Sequence, residues 1–262
     1  MHCLNKYRSK LIREVNQYLR IIVEKPEEDS VHKFRVGVKR LTTLYYFLNQ
    51  IEPNLVVKKV LKPYRSLFKS IGNIRDGHIA VHLIQDLDEV KMDQIKMQVS
   101  TLRSRIRKDH RLFRRNFRSS SQASIRVPTV KSTGISQRAI LRHKHIVLDD
   151  LLSQVLNTDG RMNAEKWHKK RILLKRYHHT LDAFQYCPGH VSDKEELKQI
   201  KMLEQLLGDW HDRVITIQIL QSLQEFENQT RSIITILKKQ DRLLLGSAKI
   251  YLNKFTKWHE NR

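Results

Sequence analysis

Two segments of the chain carry the same arrangement of basic residues. They read HKFRVGVKR at 32–40 and HKKRILLKR at 168–176, and both follow the pattern HKxRxxxKR. On a helix, the His, Arg and second Lys of this pattern are i, i+3 and i+7, which places them on one narrow stripe. Imidazole, guanidinium and ammonium groups all donate to phosphate oxygens. The pattern therefore predicts a surface that binds an anion.

Acidic residues are absent around both stripes, from Val31 to Gln50 and from Lys166 to Leu181. Like charges at this spacing repel, so a helix stabilised for its own sake would interleave acids among them. A solvated basic face is the alternative interpretation. The repetition of the same stripe favours a functional surface.

A second motif follows each stripe, as IGNIRD at 71–76 and LGDWHD at 207–212. A shift of 136 residues superimposes the first motif on its copy and, with no gap, the second motif on its copy. Two motifs in one register indicate an internal duplication. Arg75 and His211 occupy the basic position of the second motif.

The whole chain is strongly basic, with a net charge of +23 over 262 residues. So large a surplus usually serves an anionic partner, and a hydrophobic content of 40% excludes a disordered basic tail. Eight Gly and five Pro are few for a β-sandwich or barrel. Because Cys3 and Cys187 are only two and widely spaced, we expect neither a disulfide framework nor a cysteine zinc site.

Helical periodicity positions these motifs and predicts eight helices, with Ser30 as the N-cap of the second. The expected helices cover about 4–25, 30–52, 54–86, 88–118, 139–157, 163–185, 192–224 and 227–260. Residues 119–137 are rich in Ser and Thr and are interpreted as a linker. The expected architecture is a single all-α domain over 1–262, with one four-helix half at 1–118 and another at 138–262.

At the paired motifs the sequence resembles the CHAD family, the conserved histidine α-helical domain. The resemblance spans about 4–260 and rests on the duplicated HKxRxxxKR and [IL]-G-x-x-[RH]-D motifs. It implies two pseudo-symmetric four-helix bundles with a basic pore or groove between them that binds inorganic polyphosphate. The residues that it assigns to this surface are His32, Arg35, Lys39, Arg40, Arg75, His168, Arg171, Lys175, Arg176 and His211. It assigns Asp76 and Asp212 to fixing neighbouring basic side chains.

The second half departs from the family where members often read R-L-R-Y after the Lys, because this chain has Arg176-Tyr177-His178-His179. Some members also carry a triphosphate-tunnel domain, and its E-x-E-x-K strand motif is not found here. The sequence is interpreted as a stand-alone module.

The fourth predicted helix carries a further basic stripe, formed by Arg103, Arg107, Arg111 and Arg114. It predicts additional anion contacts, with a solvated basic face as an equal alternative. His78, His82 and Asp86 are spaced as a metal stripe, but their repeat partners Val214, Gln218 and Ser222 are not such ligands. We predict no metal, no cofactor and no catalytic residue.

The leading hypothesis is therefore a non-enzymatic protein that binds inorganic polyphosphate. The alternative is a basic helical protein that binds nucleic acid, although aromatic residues do not interleave with the basic stripes as stacking on single strands requires. A polyphosphate hydrolase is a third class. No apolar run approaches the ~18 residues of a spanning helix. We accordingly expect a soluble cytoplasmic protein with no membrane partner, associated with polyphosphate bodies.

Overall fold

The computed structural model of the chain describes residues 2–51, 57–88, 90–118, 137–157, 162–189, 193–223 and 227–261. These residues form eight α-helices and no strand, which confirms the all-α class. The helices are α1 (His2–Glu24), α2 (Glu28–Ile51), α3 (Val57–Gln85), α4 (Met92–Arg118), α5 (Gln137–Leu156), α6 (Ala164–Phe184), α7 (Lys194–Gln221) and α8 (Glu227–Glu260). The predicted linker lies outside the described residues, except for Gln137, which begins α5. Within the described part of the chain, no helix has the length and apolar content to cross a bilayer.

Local sequence explains where several helices begin. The side-chain oxygen of Asn163 accepts the backbone N–H of Lys166 at 2.9 Å and caps α6. A carboxylate oxygen of Asp193 caps α7 in the same way, by accepting from two backbone N–H groups. These oxygens satisfy donors that a helix leaves without a partner in its first turn.

The prediction that Ser30 caps the second helix is wrong. α2 begins two residues earlier, at Glu28, and Ser30 lies inside its first turn. The Ser30 hydroxyl donates to the carbonyl oxygen of Glu27 at 2.8 Å instead of accepting from the helix. Glu28 and Asp29 place negative charge at the helix N-terminus, where the helix dipole favours it.

Consecutive helices pack against each other within each half, and two helix pairs form the main contacts between the halves. α2 packs against α6, and α3 packs against α7. These pairs are equivalent under the 136-residue shift, because α2 and α6 carry the first motif and α3 and α7 carry the second. The packing therefore brings both copies of both motifs to the junction between the halves.

The buried side chains form two clusters, and only one of them stays within its half. The second cluster draws on α5 to α8 and includes Trp167 and Trp210. The first cluster fills α1 to α4 but also takes in Phe184, Ile217 and Leu237. Burial of each such side chain contributes about 1.5–3 kcal/mol. The two halves therefore share a core, and the division at 118 and 138 into two bundles stays a prediction.

A disulfide also joins the halves, between Cys3 in the first turn of α1 and Cys187 after α6. The Cα atoms are 5.1 Å apart, although 184 residues separate the two cysteines along the chain. Beside it, the rings of Tyr7 and Tyr186 pack with their centroids 4.9 Å apart. The sequence predicted no disulfide framework and gave no sign of this single pair, because spacing along the chain says nothing about which helix ends meet in the folded protein.

Candidate anion-binding site

A cavity of about 560 Å³ lies where α2 and α3 of the first half face α6 and α7 of the second half. We call it the central cavity. Eight of the ten residues predicted for the polyphosphate surface line it: His32, Arg35, Lys39, Arg40, Arg75, Arg171, Lys175 and His211. Both halves contribute, so the packing of α2 on α6 and of α3 on α7 assembles the basic surface.

The other two predicted residues lie next to the central cavity. His168 is exposed, and its ring stacks on that of His211 with the centroids 5.1 Å apart. Arg176 lines a smaller neighbouring cavity of about 290 Å³, which we call the side cavity. The two cavities share Lys39, Arg171 and Lys175, so the same cations line both of them.

On the first-half wall, the cations rest on an aromatic ring. The Arg35 guanidinium lies 4.0 Å from the centroid of the Phe68 ring and donates to the Phe68 carbonyl oxygen at 3.0 Å. The Lys39 ammonium is 5.8 Å from the same centroid. Gly72, from the second motif, allows this arrangement, because a Cβ atom there would lie 3.1 Å from Nη1 of Arg35. Phe68 holds the two cations by cation–π attraction and does not neutralise them.

Three cations converge in the cavity without a direct ion-pair partner. Arg35, Lys39 and Arg171 have no carboxylate within 4 Å among the described residues. Burial, followed by the charges of Arg171, Arg35 and Lys175, lowers the pKa of Lys39 to about 7. Burial likewise lowers the pKa of Arg35 and of Arg171. An anion that enters the cavity would supply the missing negative charge.

On the second-half wall, a carboxylate occupies the equivalent place. Glu204 accepts from the Lys175 ammonium at 2.8 Å and contacts Nδ1 of His178 at 2.9 Å. Burial would raise the pKa of Glu204, but the hydrogen bond from His178 and the charge of Lys175 lower it to about 2. The Glu204 carboxylate is thus ionised at neutral pH and neutralises part of this wall.

A second carboxylate, Asp182 at the end of α6, pairs with Arg40 at 2.9 Å across the junction. His178 and His179 lie within 4 Å of the same carboxylate. Burial would raise the pKa of Asp182, but the neighbouring imidazole of His179 and the charge of Arg40 outweigh this effect and lower the pKa. His178 and His179 stand where the family pattern differs, and here they organise the acidic side of the wall.

Glu28, the first residue of α2, pairs with two basic side chains of α3. It accepts from Arg75 at 2.8 Å and contacts the ring of His82. The metal stripe suggested by His78 and His82 is thus not assembled as a shared site, since His82 is turned to Glu28. Within the described ranges, no group of three or more His, Cys, Asp or Glu side chains could hold a metal ion.

Asp76 and Asp212, which the resemblance assigned to fixing basic side chains, both line the central cavity. Asp212 lies 3.8 Å from Nδ1 of His211. Burial raises the pKa of Asp212, while the neighbouring imidazole of His211 and the charge of Arg171 bring it below its ordinary value. Burial raises the pKa of Asp76 despite the nearby charge of Arg35. The two aspartates therefore occupy different electrostatic environments.

The arginine stripe of α4 lies away from the central cavity. Gly77 faces α4 and packs on Ile106, whereas Arg75 and Ile79, on the opposite side of α3, face the cavity. Arg103 and Arg107 line a separate surface cavity of about 440 Å³. The structure does not bring the stripe (Arg103, Arg107, Arg111 and Arg114) together with the other predicted residues. Its role in anion contact stays a prediction.

Sequence reasoning missed several residues of the site, which the 136-residue shift relates in two pairs. Arg65 lines the side cavity and Lys201 the central one, and the two are equivalent positions. Phe68 and Glu204 are also equivalent positions. Arg65 and Lys201 lie outside both repeated motifs, and Phe68 and Glu204 share no chemistry, so neither pair stands out in the sequence.

Chemically, the site offers planar guanidinium donors, ammonium point charges and imidazoles along one enclosed path. A cavity of this kind focuses the electrostatic field and raises the local concentration of anions. Several phosphates in series could each meet a different cation, and the groups present recognise phosphate oxygens without any contact that reads a base.

Comparisons with known proteins show the family and the fold. The profile of the CHAD domain family matches residues 6–221. A crystal structure of the CHAD domain from the plant Ricinus communis is similar, with a TM-score of 0.70 and 15% identity, and covers 97% of this chain and 89% of that one. PptA from Streptomyces chartreusis has a TM-score of 0.62 and 11% identity, with 98% of each chain covered. No curated protein matches the sequence.

Proposed function

The chain belongs to the CHAD domain family, and from the basic cavity of this member we propose that it binds inorganic polyphosphate at the junction of its two halves. The phosphate chain would lie along the central cavity. It would contact Arg35 and Lys39 from one half and Arg171 and Lys175 from the other.

The observation that carries the proposal is the convergence of Arg35, Lys39 and Arg171 in one cavity, where none of the three has a carboxylate within 4 Å among the described residues. Bringing like charges together away from water is costly, and folded proteins keep such groups mainly where a ligand compensates them. Polyphosphate supplies repeated negative charge in a thin, extended chain. It fits an enclosed path between helices better than a surface groove.

We also propose that the protein binds polyphosphate without hydrolysing it. This proposal is tested separately from binding. Release of phosphate from polyphosphate in the presence of Mg²⁺ or Mn²⁺ is the measurement that checks it. Sustained release by the purified protein, lost in the Arg35→Glu/Arg171→Glu variant, would show that this class is wrong.

Nucleic acid is the second candidate, and the exposed arginines of α4 are the observation that favours it. A duplex is read by elements that enter its grooves from outside, so it would use this outer helix rather than the central cavity. The two candidates therefore predict different binding surfaces.

The first experiment is a titration of the protein with long-chain polyphosphate and with DNA of matched charge, near physiological salt. We expect tight binding to polyphosphate that weakens steeply as salt rises, by analogy with counterion release from DNA. Undetectable binding to polyphosphate would overturn the proposal. Clear preference for DNA would favour the alternative.

Charge reversal then locates the surface. Arg35→Glu with Arg171→Glu should weaken polyphosphate binding by about 100-fold, because two attractive contacts become repulsive. The matched control is Arg103→Glu with Arg107→Glu, which changes the net charge equally but lies on α4. Equal losses in the two variants would show that overall charge, and not the cavity, governs binding. Retained helicity by circular dichroism is required of both.

A cytoplasmic location, with association to polyphosphate bodies, belongs to the same proposal. The Cys3–Cys187 disulfide is the observation against it, since disulfides are rare in a reducing cytosol. Labelling of free thiols in protein isolated under alkylating conditions decides the point. Two free thiols in the cell would be consistent with a reducing compartment.

A further inference from the structure

The side cavity differs in chemistry from the central cavity that it adjoins. Its exposed wall is mostly apolar and includes Val38, Phe68 and Ile172. It is nevertheless open to Lys39, Arg171 and Lys175, the cations that it shares with the central cavity. Inorganic polyphosphate has no apolar group and would leave this wall unused.

The second half has no equivalent of the Phe68 ring, although Val38 and Ile172 have the apolar counterparts Leu174 and Val36. Glu204 stands at the position of Phe68, and His178 stands at the position of Thr42, another residue of the side cavity. Glu204 and His178 line the central cavity and contact each other. The cavity system therefore has an apolar end next to Phe68 and a charged end next to Glu204.

We propose that the site accepts an organic ester of a short phosphate chain, which ends in an apolar or aromatic group, such as a nucleoside triphosphate. The phosphates lie on Lys39, Arg171 and Lys175, and the organic group packs between Val38, Phe68 and Ile172. The inference rests on the proposed function, because the phosphate chain uses the same cations.

The size of the side cavity fits this assignment. A volume of about 290 Å³ lies at the lower limit of ligand pockets, which span about 300–1,000 Å³. It can hold one compact group, while the rest of the ligand extends into the central cavity. One face of the Phe68 ring is already covered by Arg35, so the apolar contacts come from the remaining wall.

Thermodynamics favours a mixed ligand over a purely inorganic one of equal length. Moving an apolar group from water onto Ile172 and Val38 adds a gain that an inorganic phosphate chain lacks. The cations attract the phosphates of both ligands, and the gain from the apolar group must exceed the loss of one negative charge at the esterified phosphate. The organic group also selects one orientation, with the free end of the phosphate chain directed away from Phe68.

The test compares ATP with inorganic tripolyphosphate, which has the same number of phosphates, and uses long-chain polyphosphate as the reference ligand. We expect ATP to bind about tenfold more tightly than tripolyphosphate, as burial of a small apolar group provides. Each affinity is measured by isothermal titration calorimetry with the full chain.

Ile172→Ala isolates the apolar wall. Ile172 is about one-third exposed on α6 (36%), and Ala is a good helix former, so the variant should fold. We expect this variant to lower the affinity for ATP about threefold more than it lowers the affinity for tripolyphosphate. The control is Val36→Ala, at the equivalent position in the first half, which lines only the central cavity and should affect both ligands by the same factor.

The outcomes separate the two proposals. Binding of polyphosphate with no preference for ATP over tripolyphosphate overturns this inference and leaves the proposed function standing. Equal effects of Ile172→Ala on both ligands overturn it as well. Failure of polyphosphate, tripolyphosphate and ATP alike to bind removes the proposed function, and this inference with it.

Discussion

The two walls of the central cavity present the same cations in opposite electrostatic settings. Lys39 and Lys175 are equivalent positions, yet Lys39 lies near the Phe68 ring and Lys175 is paired with Glu204. The pKa of Lys39 is lowered to about 7, whereas the carboxylate beside Lys175 is ionised throughout the neutral range. The difference between Phe68 and Glu204 therefore separates a lysine without an ion-pair partner from an equivalent lysine that has one.

This difference shows that a repeated basic motif does not define a repeated site. The motif residues supply the charge, but the residue packed beneath them decides whether that charge is available to a ligand. On the first-half wall an incoming anion meets Arg35 and Lys39, which have no ion-pair partner within 4 Å among the described residues. On the second-half wall it must compete with Glu204 for Lys175, so the two halves should contribute unequally to affinity.

The change with the largest expected effect is Phe68→Glu, which gives the first wall the carboxylate of the second. We expect polyphosphate affinity to fall by about 10–100-fold, because a new negative charge would neutralise Arg35 and Lys39 and repel the ligand. Calorimetric titration measures the loss. Phe68→Gln is the control, since it removes the ring without adding charge, and a loss of equal size in it would assign the effect to packing alone.

The reciprocal change, Glu204→Gln, should raise polyphosphate affinity by about tenfold by releasing Lys175 and His178 for the ligand. The same variant should lower the free energy of unfolding by about 2 kcal/mol, because a partly buried ammonium loses its charged partner. Urea denaturation and binding titrations measure the two effects. Glu27→Gln, which removes an exposed partner of Lys25, is the control. Unchanged affinity in the Glu204 variant would show that the second wall takes no part in binding.

A smaller effect is expected from pH, between about 7 and 9. Lys39 loses its proton as pH rises through about 7, so polyphosphate affinity should fall by up to about tenfold over this range. His32, His168 and His179 stay neutral there, because burial lowers the pKa of each below its ordinary value of 6.5. Lys39→Met should abolish the dependence and Lys175→Met should preserve it. A pH profile that is the same in both variants would contradict the asymmetry of the walls.

The free energy of unfolding should show the opposite slope. Between the folded pKa of about 7 and the ordinary value of 10.5, the unfolded chain binds the Lys39 proton and the folded chain does not. Unfolding therefore takes up a proton, and the ligand-free protein becomes more stable as pH rises through this range. Lys170, buried elsewhere in α6 with its pKa lowered to about 8, adds a contribution of the same sign. Comparison with Lys39→Met separates the two.

The smallest expected effect comes from the motif glycines. A Cβ at residue 72 would lie 3.1 Å from the Arg35 guanidinium, whereas a Cβ at residue 208 would meet nothing within 4 Å. Gly72→Ala should shift the Arg35 guanidinium by a few tenths of an ångström and lower the affinity for polyphosphate about threefold. Gly208→Ala should have less effect. Parallel titrations of the two variants check this order, and a larger loss in Gly208→Ala would contradict it.

Much of the fold followed from local patterns in the sequence. Periodic apolar residues predicted all eight helices of the described chain, and α8 was placed within its observed bounds. The error at Ser30 arose because Glu28 and Asp29 also suit the first turn of a helix, so that composition alone allowed two starting points. Local rules decide that a helix forms more reliably than where it begins.

The candidate site was likewise predicted only in part from the sequence. Matching residues between the halves identified Arg35, Lys39, Arg171 and Lys175, which the structure brings to one cavity. The arginines of α4 were also identified by their helical spacing, but α4 lies on the side of α3 that faces away from the central cavity. Charge and spacing predict a stripe on a helix, and they do not say which neighbouring helix that stripe faces.

The sequence by itself determined the helices, the repeat and the presence of a basic stripe on each of two helices, because periodicity and spacing act within one segment of chain. Only the tertiary structure decided that the stripes face each other, that Phe68 lies under one and Glu204 beside the other, and that Cys3 meets Cys187. These are contacts between distant segments. Their energies depend on distances that only the packing of the helices sets, and so does the charge that each lysine presents to a ligand.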